Sequence, residues 1–435
     1  MPGGHCVLAL SWLVAAGLPI LVPAAELPQG QTLPATRGAI PVGRLVDEAL
    51  RNNPEIRAAQ KEKEAAQQRV APAAALDDPM LEAGVINLPS NSLRFDREDM
   101  TMKMIGLSQR FPYPGKRGLR QDVTAKDAEF AGYGYQETVN RVAREVKVAY
   151  LDLGLVIESA RIVESNRHLL GQFLKIAEGR YAVGQGSQSD VFKAQTQLSR
   201  MADELIKLAG ERPMIEAELN RALGRSADAT APLPVKPQLQ ETPLQLDMVR
   251  EMAIRDRPQL LALRSAIART EKALELAHKE YYPDFDVRFS YGQRDSMPDG
   301  TRRSDMLSLT VAINLPVWRE NKIAPRITEA RALHEQALSL YQAQHNEALM
   351  RLRRQVASAE QNLRSARLYQ SDILPQARLT VEATLAAYGV NRADFMALLE
   401  NQMAVFNYEI VHAAAVTNYH KALAEIDLLT GRPPK

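Results

Sequence analysis

The sequence predicts a mainly α-helical chain with a small transmembrane β part, built as two homologous halves. Three observations carry this. Proline landmarks recur at a fixed offset, short segments alternate with period two, and long proline-free runs show heptad spacing. Pro54 and Pro79 are repeated by Pro258 and Pro283, and Pro112 by Pro316, each about 204 residues on. Later pairs are about 207 apart: Tyr181 and Tyr388, Gln195 and Gln402, Gly224 and Gly431, Arg225 and Arg432. A few residues inserted in a long helix of the second half account for the shift. The ordered landmarks define repeats at 43–225 and 247–432, joined by a Pro-rich linker over 226–246 that contains APLPVKPQLQETPL.

Elements follow in the same order in each half. A helical stretch lies between the first two prolines, as in EIRAAQKEKEAAQQRVAPAAAL. Two strands come next, at about 79–88 and 99–111 in the first half and 283–292 and 305–315 in the second. Phe285, Val287, Phe289 and Tyr291 alternate with Asp286, Arg288 and Ser290. Leu307, Leu309, Val311, Ile313 and Leu315 alternate with Ser308, Thr310, Ala312 and Asn314. Such alternation gives a strand two different environments. A proline corner then ends each strand pair, at Pro112, Pro114 and Gly115 in RFPYPGKRG and at Pro316 in INLPVWREN. Proline lacks the N–H a ladder needs and suits a helix start, and glycine tolerates the corner dihedral.

The helical run after each corner is long. Leu119 to Ala182 contains no proline and spans roughly 96 Å as a helix. Val142, Val146, Ala149, Leu153, Val156, Ala160 and Val163 form a heptad seam, as do Leu352, Val356, Ala359, Leu363 and Ala366. Turns follow at Tyr181 to Gly184 and at Tyr388 to Asn391, and a return helix closes each half. Each half therefore fits one long helix beside two shorter ones stacked end to end.

Composition excludes several classes. Lys and Arg number 54 against 52 Asp and Glu, so charge gives no reason to expect a nucleic-acid partner. Val7 to Val22 is almost wholly apolar and precedes the small residues of VPAAE, so residues 1–25 read as a signal peptide and 26–42 as an extended N-terminal segment. The single cysteine, Cys6, lies in that leader, which leaves no thiol for disulfides or metal. No cofactor is expected. No catalytic constellation stands out: GQGS at 184–187 follows a helix, and His334–Glu335 lacks a second His because position 338 is Leu. His412 and His420 read as ordinary surface or seam residues. Met100, Met102 and Met104 share a strand face with the positions of Met306 and Ser308, where thioethers read as packing before they read as soft-metal contacts.

Four half-apolar strands cannot close a barrel, and an open sheet edge cannot sit in lipid. Several chains must share one barrel. Here the sequence resembles the TolC-like outer-membrane efflux proteins. The resemblance rests on the repeat, the strand–FPYPGKRG–helix unit, and RYAVGQGSQSDVFKAQTQL with its counterpart AYGVNRADFMALLENQMAV. It implies a homotrimer with a shared 12-stranded β-barrel and a coiled-coil α-helical periplasmic tunnel. It also implies an outer-membrane exit duct of a Gram-negative tripartite pump, partnered by a periplasmic adaptor and an inner-membrane transporter. FPYPGK is most similar to the heavy-metal and cation branch, with drugs as the other cargo class. The resemblance places the tunnel's constriction at the tips, making Asp190, Lys193, Arg392 and Glu400 the aperture candidates. Two departures stand out. Cys6 precedes the apolar segment and cannot carry a mature N-terminal lipid, and Asn391 stands where the first half has Gly184. The alternative is a periplasmic coiled-coil scaffold whose strand segments are irregular linkers.

Overall fold

The computed structural model describes residues 39–433, so the proposed signal peptide lies outside the described residues. The first repeat runs α1 (Val42–Asn52), α2 (Pro54–Gln68), α3 (Val70–Ala74), β1 (Met80–Ile86), β2 (Met102–Phe111), α4 (Lys116–Ala182) and α5 (Gln188–Leu223). The second runs α6 (Leu246–Asp256), α7 (Pro258–Lys279), β3 (Phe285–Gln293), β4 (Met306–Ile313), α8 (Ala324–Leu368), α9 (Leu374–Gly389) and α10 (Phe395–Leu429). No described helix is long and apolar enough to cross a membrane.

The four strands form one antiparallel sheet in chain order, with β1 and β4 at its open edges. The scaffold alternative, which needs irregular segments here, fails on this sheet. Each strand is shorter than its sequence pattern. Asn87 adopts a positive φ of 55° and ends β1. Its carbonyl accepts from the Thr101 hydroxyl at 2.7 Å, holding residues 99–101 out of β2. Pro283 has no N–H to give to β3, and the Asn314 side chain turns to the Asp284 N–H, so β4 stops at Ile313.

Helix α4 is continuous over 67 residues, about 100 Å. It packs against α2 and α5 of its own repeat, and also against α7 of the other. Likewise α8 packs against α7 and α10, so α7 sits between the two long helices. The heptad seam is real: Val142, Val146, Leu153 and Val163 are buried in the first long helix, Leu352, Val356 and Ala359 in the second. The segment between Pro54 and Pro79 is less regular than its pattern. It breaks at Arg69, just before Pro72, giving α2 and the one-turn α3.

The second long helix differs from the first. Two π turns, Arg319–Ile323 and Tyr369–Ile373, precede Pro325 and Pro375. A π turn bonds i to i+5 and takes an extra residue, and its wider ring gives room to a proline that clashes in a regular α-turn. Both π turns lie in the interval where the repeat offset grows, which places most of the inserted residues.

Each return helix ends against the junction of the first two helices of its own repeat, α1–α2 and α6–α7. Gly224 and Gly431 both cap a helix with positive φ, 74° and 66°. A Cβ on Gly224 would lie 2.8 Å from the Asn52 carbonyl oxygen, and one on Gly431 would lie 2.4 Å from that of Asp256. Left-handed backbone alone costs an L residue about 1–2 kcal/mol, and the clash adds to it. Gly431→Ala is expected to lower the temperature at which the protein unfolds. Gly210→Ala, mid-helix with open space around it, should raise stability by roughly 0.5–1 kcal/mol.

The linker is fastened rather than free. Ile40 bridges Pro234, and the Tyr150 hydroxyl accepts from the Val235 N–H at 2.7 Å while donating to the Ile40 carbonyl at 2.9 Å. The Tyr419 hydroxyl holds Thr242 and Gln240 in the same way. Helix α1 begins at Val42, and residues 26–38 of the expected extended segment lie outside the described residues.

Candidate functional site

The register sorts the sheet into two faces. Leu81, Leu107, Phe289 and Leu309 align on one, with Ala83, Ile105, Tyr291 and Leu307 beside them. Leu81, Leu307 and Leu309 are about 70% exposed in the single chain, far more apolar surface than water tolerates on a soluble sheet. The other face carries Glu82, Ser108, Arg288, Ser290, Ser308 and Thr310. Arg288 crosses β2 to pair with Glu82 at 2.9 Å. Gly106 leaves the room: a Cβ there would lie 3.3 Å from the Phe289 carbonyl oxygen and from the Ser290 Cβ. Met102, Met104 and Met306 share this polar face, with the Met102 sulfur lying over Gly292, whereas Met100 lies outside the strand. One face thus suits lipid and the other an aqueous channel.

At the base of the sheet the chain turns into the helices. Gly115, with φ 92°, caps α4. Pro112 and Pro114 fall between β2 and that helix, as their missing N–H groups require. The second corner is built differently: Pro316 leads through Trp318 into a π turn, and no residue there has a positive φ. The two corners meet at Asp284, a residue the repeat does not single out because its first-half equivalent is Met80. The buried Lys116 ammonium lies 2.8 Å from the Asp284 carboxylate and donates to the Tyr282 carbonyl at 2.9 Å. Arg110 lies 3.2 Å away, and the Tyr113 N–H donates at 2.9 Å. Burial pushes the Asp284 carboxyl up, but the bonds to Lys116 and Tyr113 outweigh it and hold it below its ordinary value.

The opposite ends of the long helices form the tips. Gly184 and Asn391 both take left-handed backbone, at φ 71° and 61°, so asparagine serves where glycine is absent. Each return helix starts four residues later, α5 at Gln188 under a Ser187 cap and α10 at Phe395. Arg180 ties the tips together. Its guanidinium lies 4.4 Å from the Tyr388 ring centroid and donates to the Tyr388 carbonyl. Tyr388 packs on Phe395, with centroids 5.6 Å apart, while Tyr181 is 48% exposed. By its position alone, Tyr388 reads only as a turn landmark. The signal that would have found the tie is an arginine and a tyrosine next to paired turns.

The aperture candidates separate into three settings. Asp190 is half-buried in the first turn of α5, where a carboxylate complements the helix N-terminus. Lys193 and Glu400 line one groove of about 810 Å³ between α5 and α10, with Phe192, Met396 and Met403. No ion pair joins them. Arg392 is exposed on its turn.

The model of the outer membrane efflux protein family matches residues 45–225 and 249–432. The chain belongs to that family. Among relatives, this efflux protein is similar to the outer membrane efflux protein BepC of Brucella suis biovar 1, at 22% identity over 185 residues. That match covers 42% of this chain and 40% of BepC. The fold matches the outer membrane protein VceC of Vibrio cholerae at TM-score 0.76 and 15% identity, covering 91% of this chain and 97% of VceC. It matches the Campylobacter jejuni CmeC outer membrane channel at TM-score 0.76 and 14% identity, covering 90% and 85%. This efflux protein therefore has a TolC-like fold, with a small β part and a long helical part.

Proposed function

We propose that the chain is one protomer of a trimeric outer-membrane exit duct, passively conducting solute delivered by a periplasmic adaptor and an inner-membrane transporter. One observation carries this: a four-stranded sheet, open at both edges and apolar on one face, continues into helices of about 100 Å. Three such sheets joined edge to edge close a barrel, which removes the unpaired ladders that lipid forbids. The repeats at 43–225 and 247–432 are the two pseudo-equivalent halves of each protomer. Heavy-metal cations are the proposed cargo, on the strength of the FPYPGK corner, with drugs as the other class. Mass measurement in detergent is expected to give three chains, and deletion is expected to sensitise the host to the cargo. A stable monomeric barrel refutes the assembly.

The narrow end is proposed as the aperture. Exposed charges contribute about 0–1 kcal/mol per pair, and threefold repetition multiplies that small quantity. Asp190→Ala combined with Glu400→Ala is expected to raise single-channel conductance or weaken block by multivalent cations. Unchanged conductance and block return both residues to the solvated helix face.

A further inference from the structure

We propose that a concavity at the base of the barrel, on its outer side, binds the phosphodiester headgroup of an anionic glycerophospholipid in the periplasmic leaflet. The concavity measures about 640 Å³ and is lined by His278, Lys279, Tyr281, Tyr282, Pro283 and Arg319. Its charge is of one sign. Of the nearby acids, Glu280 pairs with Arg326 at 2.7 Å and Asp284 with Lys116 and Arg110, while Glu320, beside Arg319, is exposed and does not line the concavity. Lys279, Arg319 and His278 have no ion-pair partner among the described residues. The C-terminus of α7 offsets about half an elementary charge, less than the two fixed cations present.

The site faces lipid rather than the channel. Leu276 and Glu280 line a separate pocket with Arg110 and Asp284, and with Leu315, Val317 and Trp318 of the second corner. Arg110 belongs to the polar-face parity of β2. His278 lies two residues from Leu276, on the opposite side of α7. Directly above the concavity, Phe111, Phe285 and Ile313 form one cross-strand row on the apolar face. Leu315, Val317 and Trp318, which line the neighbouring pocket below β4, are 72%, 68% and 71% exposed. Tyr113 and Tyr282 stack at 4.5 Å, and the Lys279 ammonium lies 5.8 and 5.5 Å from their centroids. Cations, interfacial tyrosines and an apolar row are therefore ordered as a lipid orders its phosphate, glycerol and acyl chains. Free phosphate satisfies the cations but not the row.

The inference rests on the barrel reading, and its test separates the two. The full-length protein extracted from membranes is incubated with phosphatidylglycerol, phosphatidylethanolamine or inorganic phosphate, and bound species are read by native mass spectrometry. Phosphatidylglycerol is expected to be retained over phosphatidylethanolamine. Arg319→Gln, an exposed side chain bonded only to the Pro316 carbonyl, should reduce that retention roughly fivefold. Lys279→Gln with Arg319→Gln should abolish the preference, and Lys272→Gln, whose lysine pairs with Glu275, should leave it intact. A membrane-resident protein without phosphatidylglycerol preference, or equal loss in all variants, overturns the site alone. Phosphate binding without lipid preference reassigns it to a soluble anion and overturns the lipid. A protein that leaves the membrane fraction altogether overturns the barrel as well.

Discussion

Leu309→Arg is expected to abolish accumulation of the protein in the outer membrane, while Ser308→Arg next to it is tolerated. Leu309 lies mid-strand on the apolar face opposite Phe289 and is 71% exposed in the single chain. Arginine at a bilayer midplane costs a barrel roughly 2–4 kcal/mol, and in the proposed trimer that cost applies three times. Ser308 faces Ser290 on the polar side, so its replacement projects into water. Thr310 is a poorer control, because it sits opposite Arg288 and an added arginine there meets a like charge. Heat-sensitive oligomer in the outer-membrane fraction is the measurement. Equal loss in both variants contradicts the assignment of faces.

Asp284→Ala is expected to cost about 3–5 kcal/mol, because it strands the buried Lys116 ammonium. The loss extends to the Tyr113 N–H, which gives up its acceptor. Adding Lys116→Met should recover part of the stability, since removing both charges spares the desolvation that removing one exposes. The readouts are the dissociation temperature of the oligomer and proteolysis at residues 110–118. A double variant no better than Asp284→Ala contradicts the role of the pair. The same contact sets an acid limit. Because the folded carboxyl titrates below the unfolded one, its contribution is fully present above the ordinary aspartate range and fades only as pH falls through the folded value. Neutral-to-mildly acidic media should therefore leave the corner intact.

Much of the architecture is legible in the residues. The proline offsets mark the repeat, the alternation marks the faces, and the heptads mark the buried seam, the last two because burial of one face imposes a local periodicity. Gly184 and Asn391 announce their turns because few residues accept left-handed backbone. The aperture candidates were legible only as charges near a turn. Whether Lys193 faces Glu400 depends on how α5 and α10 sit side by side, which no local pattern encodes.

The sequence by itself determined the element order, the two faces of the sheet and the positions of the turns. Tertiary structure alone decided the rest: that α7 lies between α4 and α8, that Arg180 reaches Tyr388, and that Asp284 joins two corners that differ in build. These are contacts between residues distant in sequence, from 30 positions for Asp284 and Asn314 to 208 for Arg180 and Tyr388. They depend on which surfaces meet, and a periodic pattern specifies a surface without naming its partner.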